Sequence, residues 1–291
     1  MKNRAIALIA ILAAALACGS PSLYSVTLTP PTTTETVVLP STESRLATGA
    51  ATVAIWRPVL NASLQLQFTD LPVDPFVDAD IYDIDLFDND ANVVAALHAQ
   101  GRKVVCYINV GAWESWRPDK DQIPVSVIGK DYAGWEGEKW LDIRQIDLLA
   151  PIMQARFDQC QARGFDGIEP DNIDGYANVT GFSLSREDQL AYNIWLANEA
   201  HARGLSIGLK NDPDQAADLF PHFDWALTED CFVQGWCEQL SGFVAAGKPV
   251  FSVEYTDTGV TKDQFCPQAE ALGFNAILKN RGLDAHREAC P

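Results

Sequence analysis

Asp166, Glu169, Asp171 and Asp174 fall in one short stretch, GFDGIEPDNIDGYAN, spanning residues 164–178. Phe165 and Ile168 predict a brief buried strand. Pro170 ends its regular pairing because proline has no N–H to give to a ladder. Side chains alternate along a strand, so Gly167, Glu169 and Asp171 share one face while Asp166 and Ile168 share the other. Glu169 and Asp171 therefore look into one space at the strand's C-terminal end. Carboxyls facing a common space can divide the roles of proton donor and ionised partner. The plainer reading of an acid cluster is a solvated loop or a calcium site, and the sequence on either side weighs against it.

That strand needs a scaffold. From Ala51 onward short apolar runs alternate with amphipathic stretches, the pattern of a parallel α/β arrangement. Strands are predicted at 63–68, 79–86, 103–110, 165–169, 205–210, 223–228, 249–254 and 274–278. Helices are predicted at 91–100, 146–163, 186–203, 214–219, 237–246 and 262–272. Gly101, Gly164, Gly204, Gly247 and Gly273 each follow a helical stretch and precede a strand, which marks five helix ends. Ser185 with Asp188 reads as a capping box opening the third helix. The fold expected is a single-domain (β/α)8 barrel over residues 51–291. Its first βα unit is irregular, because TDLPVDPFV is too short and proline-rich for a helix.

In such barrels chemistry sits at the C-terminal ends of the strands. Alternation places Gln65 and Gln67 there from the first strand, Asp83 and Asp85 from the second, and Tyr107 and Asn109 from the third. Glu169 and Asp171 come from the fourth and Lys210 from the fifth. Glu229 follows the sixth, Glu254 belongs to the seventh and Lys279 follows the eighth. Acids, amides and lysines on one rim suit hydroxyl-rich ligands and acid/base work. The long segment after the third strand carries Trp113, Trp116, Trp135 and Trp140, and aromatic faces beside carboxylates suit a sugar-binding cleft. Trp113, Trp135 and Tyr176 are the expected stacking residues, with Asp174 beside them on the loop after the fourth strand.

Several chemistries are disfavoured. His98, His201 and His222 fall on the opposite face of such a barrel, which argues against a histidine-bound zinc or a Ser-His-Asp triad. No phosphate-cradling glycine loop precedes a helix. Asp83, Asp85, Asp88 and Asp90 lack the glycine and terminal glutamate of a calcium loop. Neither metal nor cofactor is expected.

The N-terminus reads as an export signal over residues 1–17: Lys2 and Arg4, an apolar run, then small residues. Ala15-Leu16-Ala17-Cys18 suits a lipobox, with lipid anchoring at Cys18 as the only link to a membrane, and also suits ordinary cleavage. Residues 18–50 are rich in Ser, Thr and Pro and form a flexible linker. Six cysteines remain after Cys18. The expected pairs are Cys106–Cys160, because Cys106 faces outward toward the helix carrying Cys160, and the sequence neighbours Cys231–Cys237 and Cys266–Cys290. The formal charge is −18; without Lys2 and Arg4 it is −20. Nucleic acid is disfavoured as a partner, a cationic or neutral ligand is compatible, and a monomer is expected.

The succession YDIDLFD, CYINVGAWESWRPD, WLDIR, GFDGIEPDNIDGYAN, GLKND, TEDC and KPVFSVEY resembles glycoside hydrolase family 114, the endo-α-1,4-polygalactosaminidase-like barrels, over about residues 52–285. The resemblance implies a polysaccharide substrate of α-1,4-linked galactosamine, a cationic amino-sugar polymer, hydrolysed by two carboxylates without a metal. It places the catalytic pair on Asp171 and Glu229. Thr228 stands where the family commonly has Asn, a departure that touches hydrogen bonding near Glu229 and not the carboxylate itself. Two other readings compete: a carbohydrate-binding lipoprotein on the same barrel, and a Schiff-base lyase using Lys210.

Overall fold

Eight parallel strands form, each within two residues of where its apolar run predicts it. The computed structural model describes residues 54–291. The expected export signal, Cys18 and the linker lie outside the described residues. The strands are β1 (Leu64–Gln67), β2 (Ile81–Asp85), β3 (Lys103–Asn109), β7 (Gly167–Asp171), β8 (Ser206–Lys210), β9 (Trp225–Glu229), β10 (Val250–Tyr255) and β11 (Asn275–Lys279). An insertion after β3 supplies β4 (Ala112–Glu114), β5 (Ile128–Asp131) and β6 (Glu138–Leu141), and β12 (Glu288–Ala289) ends the chain's sheet. The main sheet runs β1-β2-β3-β7-β8-β9-β10-β11-β12. All neighbours are parallel except β12, which is antiparallel to β11.

The curled sheet is a (β/α)8-type barrel, and its seam is filled by the chain after β11. Leu283 O accepts from Phe68 N at 2.9 Å and from Thr69 N at 3.2 Å. Arg287 Nε donates to Leu64 O at 2.7 Å. These bonds satisfy the free edge of β1, which a barrel must not leave open. Helices α1 (Ala91–His98), α2 (Ile146–Arg163), α3 (Arg186–Ala202), α4 (Ala216–Leu219), α5 (Cys231–Gln234), α6 (Ser241–Ala245) and α7 (Lys262–Leu272) cover the outside. The capping box of Ser185 and Asp188 forms, and all five boundary glycines adopt positive φ. Between β1 and β2 there is no helix; Gln67 bonds Thr69 O, Asp70 O and Asp74 N and shapes that irregular turn.

Two apolar cores result. One lies between the sheet and its helices. The other fills the barrel with Leu64, Leu66, Ile81, Val105, Trp225 and Phe251, among others. Gly208 makes room for it: a Cβ there would lie 2.5 Å from the Trp225 ring. Inner and outer faces also correct three expectations. Leu64 and Leu66 point inward, so Gln65 and Gln67 point outward. Val253 and Tyr255 point inward, so Glu254 is outside the barrel, accepting from Phe232 N at 2.9 Å and Val233 N at 3.3 Å at the start of α5. The three expected disulfides form, and each contributes on the order of 2–4 kcal/mol.

Candidate active site

The strand ends turn sharply at the C-terminal face. Asn172 follows β7 with φ 63°, Asn211 and Asp212 follow β8 with φ 51° and 50°, and Asp230 follows β9 with φ 55°. Asn and Asp enter this left-handed region more readily than other non-glycine residues. Each turn comes directly after an inward polar side chain: Asp171, Lys210 and Glu229. The turns thereby end the strands abruptly and hold those side chains at the rim. Such strain is typical of functional sites. Gly111 lets the end of β3 approach closely, since a Cβ there would sit 1.6 Å from Asn172 O.

Lys210 is the hub. Its Nζ lies 3.0 Å from Glu169 Oε1, 3.0 Å from Asp171 Oδ1 and 3.1 Å from Glu229 Oε2. Glu169 and Asp171 accept hydrogen bonds from it, and Glu229 adds an ion pair. Burial opposes its charge, but Asp171, Glu169 and Glu229 outweigh that and hold the ammonium well above the usual lysine range. A lysine so held is no nucleophile, which disfavours the Schiff-base reading. The remaining oxygens of the two partly exposed acids each take a tyrosine: Tyr107 Oη donates to Asp171 Oδ2 at 2.9 Å, and Tyr255 Oη donates to Glu229 Oε1. Burial, then the charge of Asp171 for Tyr107 and of Glu229 for Tyr255, raises both hydroxyls and keeps them protonated donors. Asn211 Oδ1 accepts from Glu229 N at 2.9 Å and fixes that strand end.

Above this cluster lies a cleft of about 520 Å3. Its floor includes Asp171, Lys210 and Glu229. One wall comes from the insertion, a three-stranded antiparallel sheet in the order β4-β6-β5. Sequence reading treats this segment as a loop, because its strands are too short for alternation to register. It brings Trp116, Tyr132, Trp135 and Glu138 to the cleft, and Trp116 and Trp135 are about half exposed. Arg117, also on the wall, donates to Glu114 and Asp85 and is fixed by both. Burial, then Glu114, raises Glu138 to about 8. Burial, then Asp171, raises Asp174 to about 6. Opposite, Arg281 stacks 4.0 Å from the Tyr255 ring and pairs with Asp230 and Asp257.

Of the expected site residues, Asp85, Tyr107, Asp171, Asp174, Lys210 and Glu229 line the cleft. Glu169 and Asp83 are buried beneath it. Asn109 is buried and bonds Glu138 Oε2 and Ala112 N, so it braces the insertion. Trp113 turns away: its Nε1 donates to Lys120 O and its ring packs on the core. Tyr176 donates to Asp212 Oδ1 outside the cleft wall. Lys279 donates to Gln65 and Asp284 O at the seam. The four acids of the calcium-like string scatter: Asp90 caps α1, Asp85 binds Arg117, Asp83 is buried, and only Asp85 and Asp88 reach the cleft. Cys231, Cys237 and Glu254 cluster within 4.8 Å, but the two sulfurs are bonded to each other and leave no thiolate for a metal. Sequence reading passed over Tyr255, the inward neighbour of Glu254, and strict alternation from Val253 would have found it.

A barrel with a carboxylate-rich cleft at the C-terminal ends of its strands, walled by tryptophans, defines the glycosidase class. The chain belongs to a specific group within that class: the sequence model of glycoside-hydrolase family GH114 matches residues 45–291. The crystal structure of Aspergillus fumigatus Ega3 in complex with galactosamine is similar at 39% identity and TM-score 0.78, covering 81% of this chain and 98% of that one. The glycoside hydrolase domain of PelA from Pseudomonas aeruginosa shares the fold at 13% identity and TM-score 0.61, covering 78% of this chain and 98% of that domain. An uncharacterized protein of Deinococcus radiodurans is 27% identical over 299 residues, 92% of this chain and 94% of that protein. The protein is a glycosidase.

Proposed function

We propose that the protein hydrolyses α-1,4-linked galactosamine-containing polysaccharide, with Asp171 and Glu229 as the catalytic pair. The observation that carries the reading is their common placement: both face the cleft, and both form ion pairs with the same Lys210 ammonium. Eight carboxyls line the cleft (Asp85, Asp88, Glu114, Glu138, Asp171, Asp174, Glu229 and Asp230) against the cations Arg117, Lys210 and Arg281. That balance suits a cationic amino-sugar chain, and the galactosamine complex of the 39%-identical Ega3 supports the sugar. Asp85, Tyr107, Asp174 and the Trp116 and Trp135 rings are the proposed sugar contacts.

Glu229 acts as general acid and Asp171 as the ionised partner. Asp171 Oδ1 and Glu229 Oε2 lie 3.0 and 3.1 Å from the one Nζ, so the two oxygens are no more than about 6 Å apart. That ceiling falls short of inverting enzymes, at about 6.5–9.5 Å, and admits retaining ones, at about 5–5.5 Å. In the first step Asp171 bonds the anomeric carbon as the glycosidic bond breaks, and the Glu229 proton goes to the leaving oxygen. In the second, water gives its proton to Glu229 and displaces Asp171, so the product keeps the α configuration.

The test is hydrolysis of a galactosamine polymer followed by NMR of the first-formed anomer, with Asp171→Asn and Glu229→Gln as variants. Each folded variant should lose at least about 10²–10⁴-fold in kcat. With Asp171→Ala and Glu229→Ala, added azide assigns the roles: the acid-less enzyme yields the α-azide and the nucleophile-less enzyme the β-azide. Activity within about tenfold of wild type in either amide variant removes that residue from the pair. Export follows from the same reading. Residues 1–17 are proposed as the signal and Cys18 as the lipid attachment point of a linker reaching residue 50, and the three disulfides support an oxidising location.

A further inference from the structure

Asp83 and Glu169 are both fully buried on the inner faces of β2 and β7. The strand register sets Asp85, Tyr107 and Glu169 on one level, and Asp83 lies one pleat below Asp85. Glu169 Oε1 accepts a hydrogen bond from Lys210 Nζ, but Glu169 Oε2 and both oxygens of Asp83 have no donor. The two carboxyls are within hydrogen-bonding reach of each other. Two ionised carboxylates in that position would combine the cost of burial with mutual repulsion. A single proton between them removes both costs, because a protonated carboxyl donates and its ionised neighbour accepts.

We propose that Asp83 and Glu169 share one proton beneath the cleft, and that this buried acid pair is a positioning device fixing Lys210 between Asp171 and Glu229. The role rests on the proposed catalytic pair. Glu169 and Asp171 each take one N–H of the Lys210 ammonium, and Glu229 pairs with its charge at 3.1 Å. Asp83 in turn holds Glu169 and keeps the buried charge to one anion facing one cation. Burial, then the charge of Glu169, pushes the Asp83 carboxyl well above the usual range, with Lys210 opposing and Asp171 reinforcing. Losing the anchor would free the ammonium and, with it, the spacing of the two acids. A misplacement of about 1 Å at a reacting pair costs roughly 10²-fold in rate.

Asp83→Asn keeps shape and still offers an N–H to Glu169; Asp83→Leu keeps bulk and offers nothing. The first measurement is the infrared C=O stretch of protonated carboxyls at pH 7, wild type minus Asp83→Asn. A band that shifts in heavy water is expected in the difference spectrum, and its absence overturns the shared proton. This readout needs no substrate, so it stands even if the proposed polymer proves wrong, and it needs only the asparagine variant to fold. The second is kinetics on whichever glycan the wild type cleaves. Asp83→Leu should lose about 10²-fold in kcat with little change in KM, and Asp83→Asn should recover about tenfold or more of that loss. Equal kcat losses in the two folded variants overturn the positioning role.

Discussion

Replacing Lys210 with Met removes the ammonium and keeps most of its bulk. Three carboxyl groups, Glu169, Asp171 and Glu229, then lose a shared cation at 3.0–3.1 Å. Removing one partner of a buried ion pair costs about 3–5 kcal/mol, because the charge left behind is uncompensated. In a domain of this size about 1 kcal/mol moves Tm by roughly 2–4 °C, so the drop at neutral pH is on the order of 6–20 °C. The sign with pH follows from Glu169. Burial, outweighing Lys210, already raises its carboxyl above the ordinary glutamate value, and loss of the lysine raises it further. The folded state then binds more protons than the unfolded state. Its stability is present below the unfolded value and is lost as pH rises through the folded one. Lys210→Met should therefore trail wild type by more at pH 8 than at pH 5 when thermal unfolding is followed by circular dichroism. Equal deficits at both pH values, or a drop under about 2 °C at pH 8, would show that Lys210 does not balance these charges.

Trp116→Ala and Trp135→Ala should each raise KM on polymer about three- to tenfold with Tm intact, on the scale of about 0.5–1.5 kcal/mol for aromatic stacking; unchanged kinetics in both would move the sugar path off the insertion. Glu254→Gln should lower stability by about 1–3 kcal/mol, because its bonds to Phe232 N and Val233 N weaken. Its kcat should stay within tenfold of wild type, and a larger loss would return Glu254 to the chemistry. Gly111→Ala should be destabilised by about 1–3 kcal/mol or more, since its Cβ would meet Asn172 O at 1.6 Å; a wild-type Tm would contradict the close approach of β3 and β7.

The sequence by itself determined the barrel, its irregular first unit and the strands that carry Asp171, Lys210 and Glu229. Those features rest on local physics: apolar runs bounded by glycines fix strands and helix ends, and alternation fixes which side chains leave a strand together. Cys106 and Cys160 were legible for the same reason, one facing outward from a strand toward the helix that follows. The tertiary structure decided the rest. The inward phase of β10 is set by packing against β9 and β11, and it puts Tyr255 in the site and Glu254 under α5. The strands of the insertion are held by antiparallel pairing and by Asn109, so no periodicity announced that Trp116 would face the cleft while Trp113 turned to the core. Lys210 is ordinary in sequence. Only the closure of β7, β8 and β9 around one axis brings three acids to a single ammonium, because charges far apart along the chain interact through distance alone.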